Sequence, residues 1–287
     1  NGQSLDTVPN LIHLNSGEIV RNPGAKSLSY DKLACPNFDD LPLGKYLMPY
    51  PVLPYMASRS CYWGKCTFCT HSFIYDSHYR KENESKVAED LDALGKKYNT
   101  KYFTFSDEAI SPNAFDRMSK AILSQGVEMR ALGMLKFESD SVETVDLFKN
   151  MYQAGFLMLF FGLESANDRV LSIIDKGCDQ ATEKRVLENS SLAGIWNHLY
   201  LFFGFPTEEK HEAQETIDFT IEHSELGDGT IHSVGQSVFT LEKDSAIYHN
   251  PAKFKIDRIL RDPDRDMAII FDYEISQGMT KDEVMEK

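Results

Sequence analysis

Residues 155–165 read Gly155-Phe156-Leu157-Met158-Leu159-Phe160-Phe161-Gly162-Leu163-Glu164-Ser165. A glycine suited to ending a helix is followed by an apolar run of strand length and then by polar residues. The amphipathic stretch 141–154 lies before it, and helical patterns over 167–174 and 180–193 lie after it. The same unit recurs in both directions. Further strands are predicted at 55–60, 101–106, 128–135, 198–204 and 231–239, with helices at 83–98, 113–125 and 209–225. Gly126, Gly155 and Gly194 each follow a helix where a left-handed C-terminal residue is favoured. Six strands alternating with helices predict an α/β fold, a partial (β/α)6 TIM-type barrel with parallel strands. In such a barrel the working residues sit at the C-terminal ends of the strands.

The alternation has limits. Residues 1–54 carry Pro9, Pro23, Pro36, Pro42, Pro49, Pro51 and Pro54 between short apolar pieces, and read as an irregular lead-in. The barrel is expected over 55–240. From 241 to 287 the pattern fades into a C-terminal extension, in which the charged stretch 257–266 reads as a solvated helix or loop. By position alone, this extension is expected to cap the barrel mouth. With 287 residues and 42% hydrophobic composition the chain can bury a large core. Thirty Lys and Arg against forty-four Asp and Glu give a net charge of −14, which disfavours nucleic-acid or anionic-membrane partners. No apolar run reaches membrane-spanning length and no signal peptide is evident at the N-terminus. Opening on Asn1 without a methionine, the chain reads as a fragment or a processed product. Five cysteines, three of them packed between 61 and 69, suit a reducing compartment, with the cytoplasm as default.

Those three cysteines follow the first predicted strand in Ser58-Arg59-Ser60-Cys61-Tyr62-Trp63-Gly64-Lys65-Cys66-Thr67-Phe68-Cys69-Thr70-His71. The C-x4-C-x2-C spacing lets one loop wrap a single inorganic centre, either zinc or iron–sulfur. His71 would complete a closed Cys3His zinc site and make the chain a zinc-stabilised binding module. A [4Fe–4S] cluster held by Cys61, Cys66 and Cys69 alone leaves one iron open to substrate or cofactor. Cys35 and Cys178 stand apart and read as small buried hydrophobes.

The loop resembles that of the radical S-adenosylmethionine (SAM) superfamily, whose common spacing is C-x3-C-x2-C with an aromatic, here Phe68, before the last cysteine. The first gap is one residue longer in this chain. The resemblance extends over roughly 52–240. Ser106-Asp107-Glu108, ending the second strand, then corresponds to the segment that receives the SAM amino group; the plain alternative is helix capping, for which Ser111 and Asn113 already serve. Glu164 and Ser165, with Lys176 beyond, resemble the G-x-E-S and V-L-x-x-x-x-K-G segments. The resemblance implies that Glu164 meets the SAM ribose and Lys176 its carboxylate, with Lys136 as a further cation. Gly204 and Phe205, within Leu199–Glu208, are similar to the strand closing in G-F-P-G-E that reads adenine. No residue is singled out as catalytic.

The resemblance implies reductive cleavage of SAM to a 5′-deoxyadenosyl radical, using an electron donor such as flavodoxin or ferredoxin. The implied substrate is a small molecule, a peptide or a lipid precursor. Residues 5–13, 17–20 and 36–43 further resemble the stretch joining a cobalamin-binding domain to the barrel in cobalamin-dependent radical SAM proteins. That implies cobalamin as a third cofactor, held by a domain outside this chain, and methyl transfer as the reaction.

Overall fold

The computed structural model describes residues 4–25, 29–71, 78–138, 143–262, 264–265 and 267–285. The chain divides into two compact units, 1–35 and 36–287. Where the sequence suggests only an irregular lead-in, the first unit contains a hairpin of β1 (Ile12–Asn15) and β2 (Glu18–Arg21), paired antiparallel. Ser16 and Gly17, both at positive φ (50° and 89°), make the two-residue turn that hairpins favour. Asn22 closes its base by donating to the carbonyls of Leu5 and Val8, each at 2.7 Å.

The second unit is built on six parallel strands in sequence order: β3 (Val52–Tyr55), β6 (Tyr102–Phe105), β7 (Arg130–Leu135), β8 (Phe156–Glu164), β9 (Trp196–Phe203) and β10 (Ser233–Val238). The sheet is open, with β3 and β10 at its edges, as a partial barrel requires. The edge position explains why the first strand arrives three residues before its predicted start. Pro54 lies inside it, and on an edge strand a missing N–H breaks no ladder. The residues that extended the predicted strand instead form β4 (Ser58–Arg59), paired antiparallel with β5 (Arg80–Lys81).

Between the strands lie α1 (Glu84–Tyr98), α2 (Pro112–Gln125), α3 (Val145–Ala154), α4 (Asp168–Ile173), α5 (Gln180–Leu192) and α6 (Lys210–His223). Side chains of Asn83, Thr144, Asn167 and Asp179 accept the first free amides of α1, α3, α4 and α5. Ser111 stands at the cap of α2, but its side chain makes no capping bond, and Pro112 opens the helix. Gly126, Gly155 and Gly194 hold positive φ (67°, 108° and 89°) just past their helices, as expected from the sequence. The predicted start of the third helix, 141–142, falls outside the described residues.

Strand alternation sets two faces. Phe103, Phe105, Leu135, Leu159, Phe161, Leu163 and Leu199 are buried, at most 3% exposed, and pack in the core with Phe115, Phe148 and Met151 of α2 and α3. Each large side chain so buried contributes roughly 1.5–3 kcal/mol. Met134, Gly162, Glu164, Phe202 and Ser237 alternate with this set and line a cavity at the C-terminal strand ends.

After β10 the chain forms a three-stranded antiparallel sheet of β11 (Leu241–Glu242), β13 (Ile270–Ile275) and β12 (Ile256–Leu260). Part of the charged stretch expected to be helix or loop is therefore a strand. Arg258 and Glu274 face each other across β12 and β13 with their charges paired, while Phe254 and Ile256 are buried. These residues join Phe202, Phe205, Phe239, Leu241 and Ile247 in an apolar cluster that fixes the extension to the last two barrel strands. No described helix is long and apolar enough to cross a membrane.

Candidate functional site

The cysteine loop leaves the sheet after Ser60, which holds φ at 71°. It is sewn down at several points. Thr67 donates its amide to the Ile174 carbonyl at 2.9 Å and accepts the amide of Ile247 at 2.9 Å. Thr70 donates its hydroxyl to Glu242 at 2.9 Å. Phe68 stands edge-on to Phe202, 5.1 Å between ring centres. Cys61, Cys66 and Cys69 thereby reach the wall of a cavity of about 320 Å³, near the lower end of the usual range for ligand sites. Burial pushes the Cys66 thiol up, against a downward pull from Lys176, and pushes Cys69 up to about 12. A ligand that needs thiolates must therefore supply the positive charge that holds them.

Three soft thiol donors on one wall suit an iron–sulfur centre or zinc. Among the described residues, no three His, Cys, Asp or Glu side chains converge on one metal position. Nδ1 of His71 lies 4.0 Å from Oε1 of Glu108.

Nine of the residues singled out from the sequence line this one cavity: Cys61, Cys66, Phe68, Cys69, His71, Glu108, Lys136, Glu164 and Lys176. Oε2 of Glu108 is buried with no hydrogen-bond partner among the described residues, so it offers an acceptor to an incoming cation or N–H. Lys176, 6% exposed, pairs with Oε1 of Glu164 at 2.9 Å. Burial pulls its ammonium down, but the Glu164 carboxylate overcomes this and holds it above its ordinary value. Glu164 has φ at 65°, and the Ser165 amide bonds the Leu163 carbonyl at 2.8 Å, a γ-turn centred on the acid. Gly162 makes room for the pair, since a Cβ there would stand 2.7 Å from Nζ of Lys176 and overlap Oε1 of Glu164. Lys136 donates to the Phe137 carbonyl at 2.7 Å and lies 3.6 Å from Glu138.

The remaining residues singled out point elsewhere. Asp107 accepts the amides of Ala57 and Ser58 and the Ser58 hydroxyl, tying the end of β6 to the chain leaving β3. Ser106 donates to the Tyr55 carbonyl at 3.3 Å. Ser165 pairs with Thr216 and accepts the Asn167 amide. Gly204 donates to Glu208 at 2.6 Å, and a Cβ there would lie 2.8 Å from Val284 of α7 (Lys281–Met285). Phe205 is buried in the apolar cluster. The sequence reading missed Met134, Phe202, Ser237, Thr240 and Glu242 in the wall. Counting back two residues from Lys136 finds Met134, and counting back one from the ends of β9 and β10 finds Phe202 and Ser237 less directly. Thr240 and Glu242 carry no pattern of their own. It also missed Trp63, whose indole N–H donates to the Asp175 carbonyl at 2.7 Å.

The radical SAM superfamily's sequence profile matches residues 56–220. An uncharacterized methyltransferase of Pyrococcus horikoshii is 27% identical over 225 residues, 76% of this chain and 48% of that protein. The cobalamin-dependent SAM radical enzyme OxsB superposes with a TM-score of 0.74 at 16% identity, over 96% of this chain and 46% of OxsB. The radical SAM methyltransferase TsrM of Kitasatospora setae gives 0.64 at 14% identity, over 88% of this chain and 50% of TsrM. The chain thus spans about half the length of each of these proteins. With the profile covering more than half of its residues, and with three thiols and a carboxylate–ammonium pair around one cavity at the strand ends, the chain belongs to the radical SAM superfamily.

Proposed function

We propose that this barrel binds a [4Fe–4S] cluster on Cys61, Cys66 and Cys69 and SAM beside it, and that it serves methyl transfer in a cobalamin-dependent enzyme. The observation carrying the first part is the shared cavity of three thiols with Glu108, Glu164 and Lys176. The second part is supported by the methyltransferase name of the Pyrococcus relative and by the fold shared with OxsB and TsrM. When bound, the cluster supplies the electron that cleaves SAM to a 5′-deoxyadenosyl radical.

The residues of the chain bind and orient. Glu108 offers its unpartnered oxygen to the SAM ammonium. Glu164 accepts the ribose hydroxyls, and Lys176, held cationic beside it, turns its remaining N–H groups to the SAM carboxylate. Lys136 adds a second cation. Phe68, Phe202 and Phe239 form an apolar side that keeps water from the reacting atoms. The extension after β10 closes the wall through Thr240 and Glu242. The substrate is a small molecule, a peptide or a lipid precursor, and a flavodoxin- or ferredoxin-type donor delivers the electron. A thiolate-bound cluster suits a reducing compartment such as the cytoplasm.

The test is anaerobic reconstitution with iron and sulfide. The expected result is a brown protein with about four irons per chain, whose reduced electron paramagnetic resonance (EPR) signal changes when SAM is added. Stoichiometric zinc without sulfide in anaerobically purified protein would refute the proposal. Methylated product from the full-length polypeptide only when cobalamin is supplied would support the second part, and cobalamin-independent turnover would remove it.

A further inference from the structure

Trp63 lies in the longer gap between Cys61 and Cys66, yet its contacts reach the corner that carries Lys176. Its indole N–H donates to the Asp175 carbonyl at 2.7 Å. Its ring covers Gly177, where a Cβ would overlap Cζ2 and Cη2. The ammonium groups of Lys65 and Lys136 each stand 4.4 Å from the ring centre, within cation–π range. Asp175 and Gly177 hold φ at 53° and 75°, so two left-handed residues flank Lys176 in a tight corner, and its side chain enters the cavity wall. One side chain thus touches the backbone on both sides of Lys176 and the stem of the turn between two thiols.

We infer that Trp63 is a positioning residue: it locks the Cys61–Cys66 turn against the Asp175–Gly177 corner, so that the thiols and the Lys176 cation keep the spacing needed to hold one SAM molecule between them. This rests on the proposed cluster and SAM site and adds a device that the extra residue in the first cysteine gap makes room for. Lys65 and Lys136 are gathered by the same ring, which keeps positive charge beside the thiols. Loss of the ring frees the turn while leaving the helix-side core of the barrel untouched.

The experiment is a double-mutant cycle with Trp63→Ala, Gly177→Ala and both together, read by iron content, by SAM affinity from the EPR change and by thermal midpoint. Trp63→Ala is expected to retain its iron and its midpoint but to bind SAM about tenfold more weakly, a change of about 1.4 kcal/mol in binding. Gly177→Ala should weaken SAM at least as much, since it displaces the indole and strains a backbone held at φ 75°, and the double variant should lose clearly less than the sum of the two. Trp63→Phe, which keeps a ring over Gly177 but loses the N–H, should fall between the two. Unchanged SAM affinity in Trp63→Ala, or losses that simply add, would overturn the inference.

A second arm needs no cluster. The sequence has two tryptophans, so Trp196→Phe leaves Trp63 as the sole indole emitter. Adding Gly177→Ala to it should shift the emission to the red and raise acrylamide quenching; no change would overturn the contact. If the wild-type chain itself takes up no cluster while this fluorescence shift appears, the cofactor reading has failed and takes the SAM-positioning role with it, although the Trp63–Gly177 seat stands.

Discussion

The ends of β6 and β8 carry similar polar sequences and use them in opposite order. At β6, Asp107 turns back to the scaffold, where three donors of Ala57 and Ser58 surround it, and the next residue, Glu108, faces the cavity. At β8, Glu164 faces the cavity and the next residue, Ser165, turns back to Thr216 and Asn167. The β6 end holds no residue with positive φ, whereas Glu164 does, and the β8–β9 register slips between Gly162 and Glu164. A bulge of this kind re-aims a side chain at the cost of local strain. Adjacent polar residues at a strand end thus divide into one that faces the cavity and one that braces, and backbone geometry decides which is which.

The largest effect tests the loop that both ends serve. Cys66→Ala should abolish cluster uptake and 5′-deoxyadenosine formation while the chain stays folded; retained cleavage of SAM would contradict the ligand assignment. Next is the strained acid. Glu164→Gln leaves Lys176 buried without its anion, which costs about 3–5 kcal/mol of stability and weakens SAM binding, measurable by chemical denaturation and by titration. If denaturation shows no loss, the pair is not holding the β8 end. The comparison is then sharpened by a matched set at β6. Asp107→Asn should lower stability by about 2–4 kcal/mol, because its amide group meets donors rather than acceptors, with SAM affinity preserved in the folded fraction. Glu108→Gln should do the reverse, keeping the melting midpoint and weakening SAM about tenfold through loss of a charge-assisted bond. The same phenotype in both variants would erase the distinction between bracing and binding.

Much of this was legible in the sequence, for physical reasons that also mark the limits. Apolar runs such as 156–162 and helix-ending glycines give the strand–helix rhythm because burial and backbone sterics act locally. The thiol spacing marks the loop because three soft donors so close together have few other uses. The first strand was misplaced because a proline reads as a breaker until the strand is known to lie at an edge. The strand at Ile256–Leu260 was missed because its charges are matched only by Glu274, on a strand that follows it. Within the site, residue types were legible but directions were not. Nothing in Ser106-Asp107-Glu108 distinguishes the bracing acid from the one that faces the cavity, because the distinction lies in the donors of Ala57 and Ser58, some fifty residues away. Trp63 was hidden for the same reason, since its partners Asp175 and Gly177 are more than a hundred residues distant.

The smallest expected effect is on pH dependence, and it again separates bracing acids from the rest. Burial raises Asp107 to about 6, Glu208 to about 7 and Glu143 to about 8, from ordinary values of 3.8, 4.5 and 4.5. In each window the folded chain keeps a proton that the unfolded chain has released, so stability falls as pH rises from about 4 to about 8. Glu84 has the opposite sign. Burial opposes its ionisation, but bonds from Lys81 and Arg117 prevail and lower it to about 2, so its contribution is complete above 4.5 and is lost as pH falls towards 2. Of these four acids the three raised ones set the sign above pH 5, so their share of the stability declines towards pH 8. Thermal midpoints measured across pH 4–8 should show this slope. Glu143→Gln, which keeps an acceptor for the Glu138 amide, should flatten it above pH 6, and Asp107→Asn should flatten it only below that point. A midpoint that rises steadily from pH 5 to pH 8 would mean that the donors around Asp107 outweigh its burial, and that the brace at β6 is an ionised carboxylate throughout.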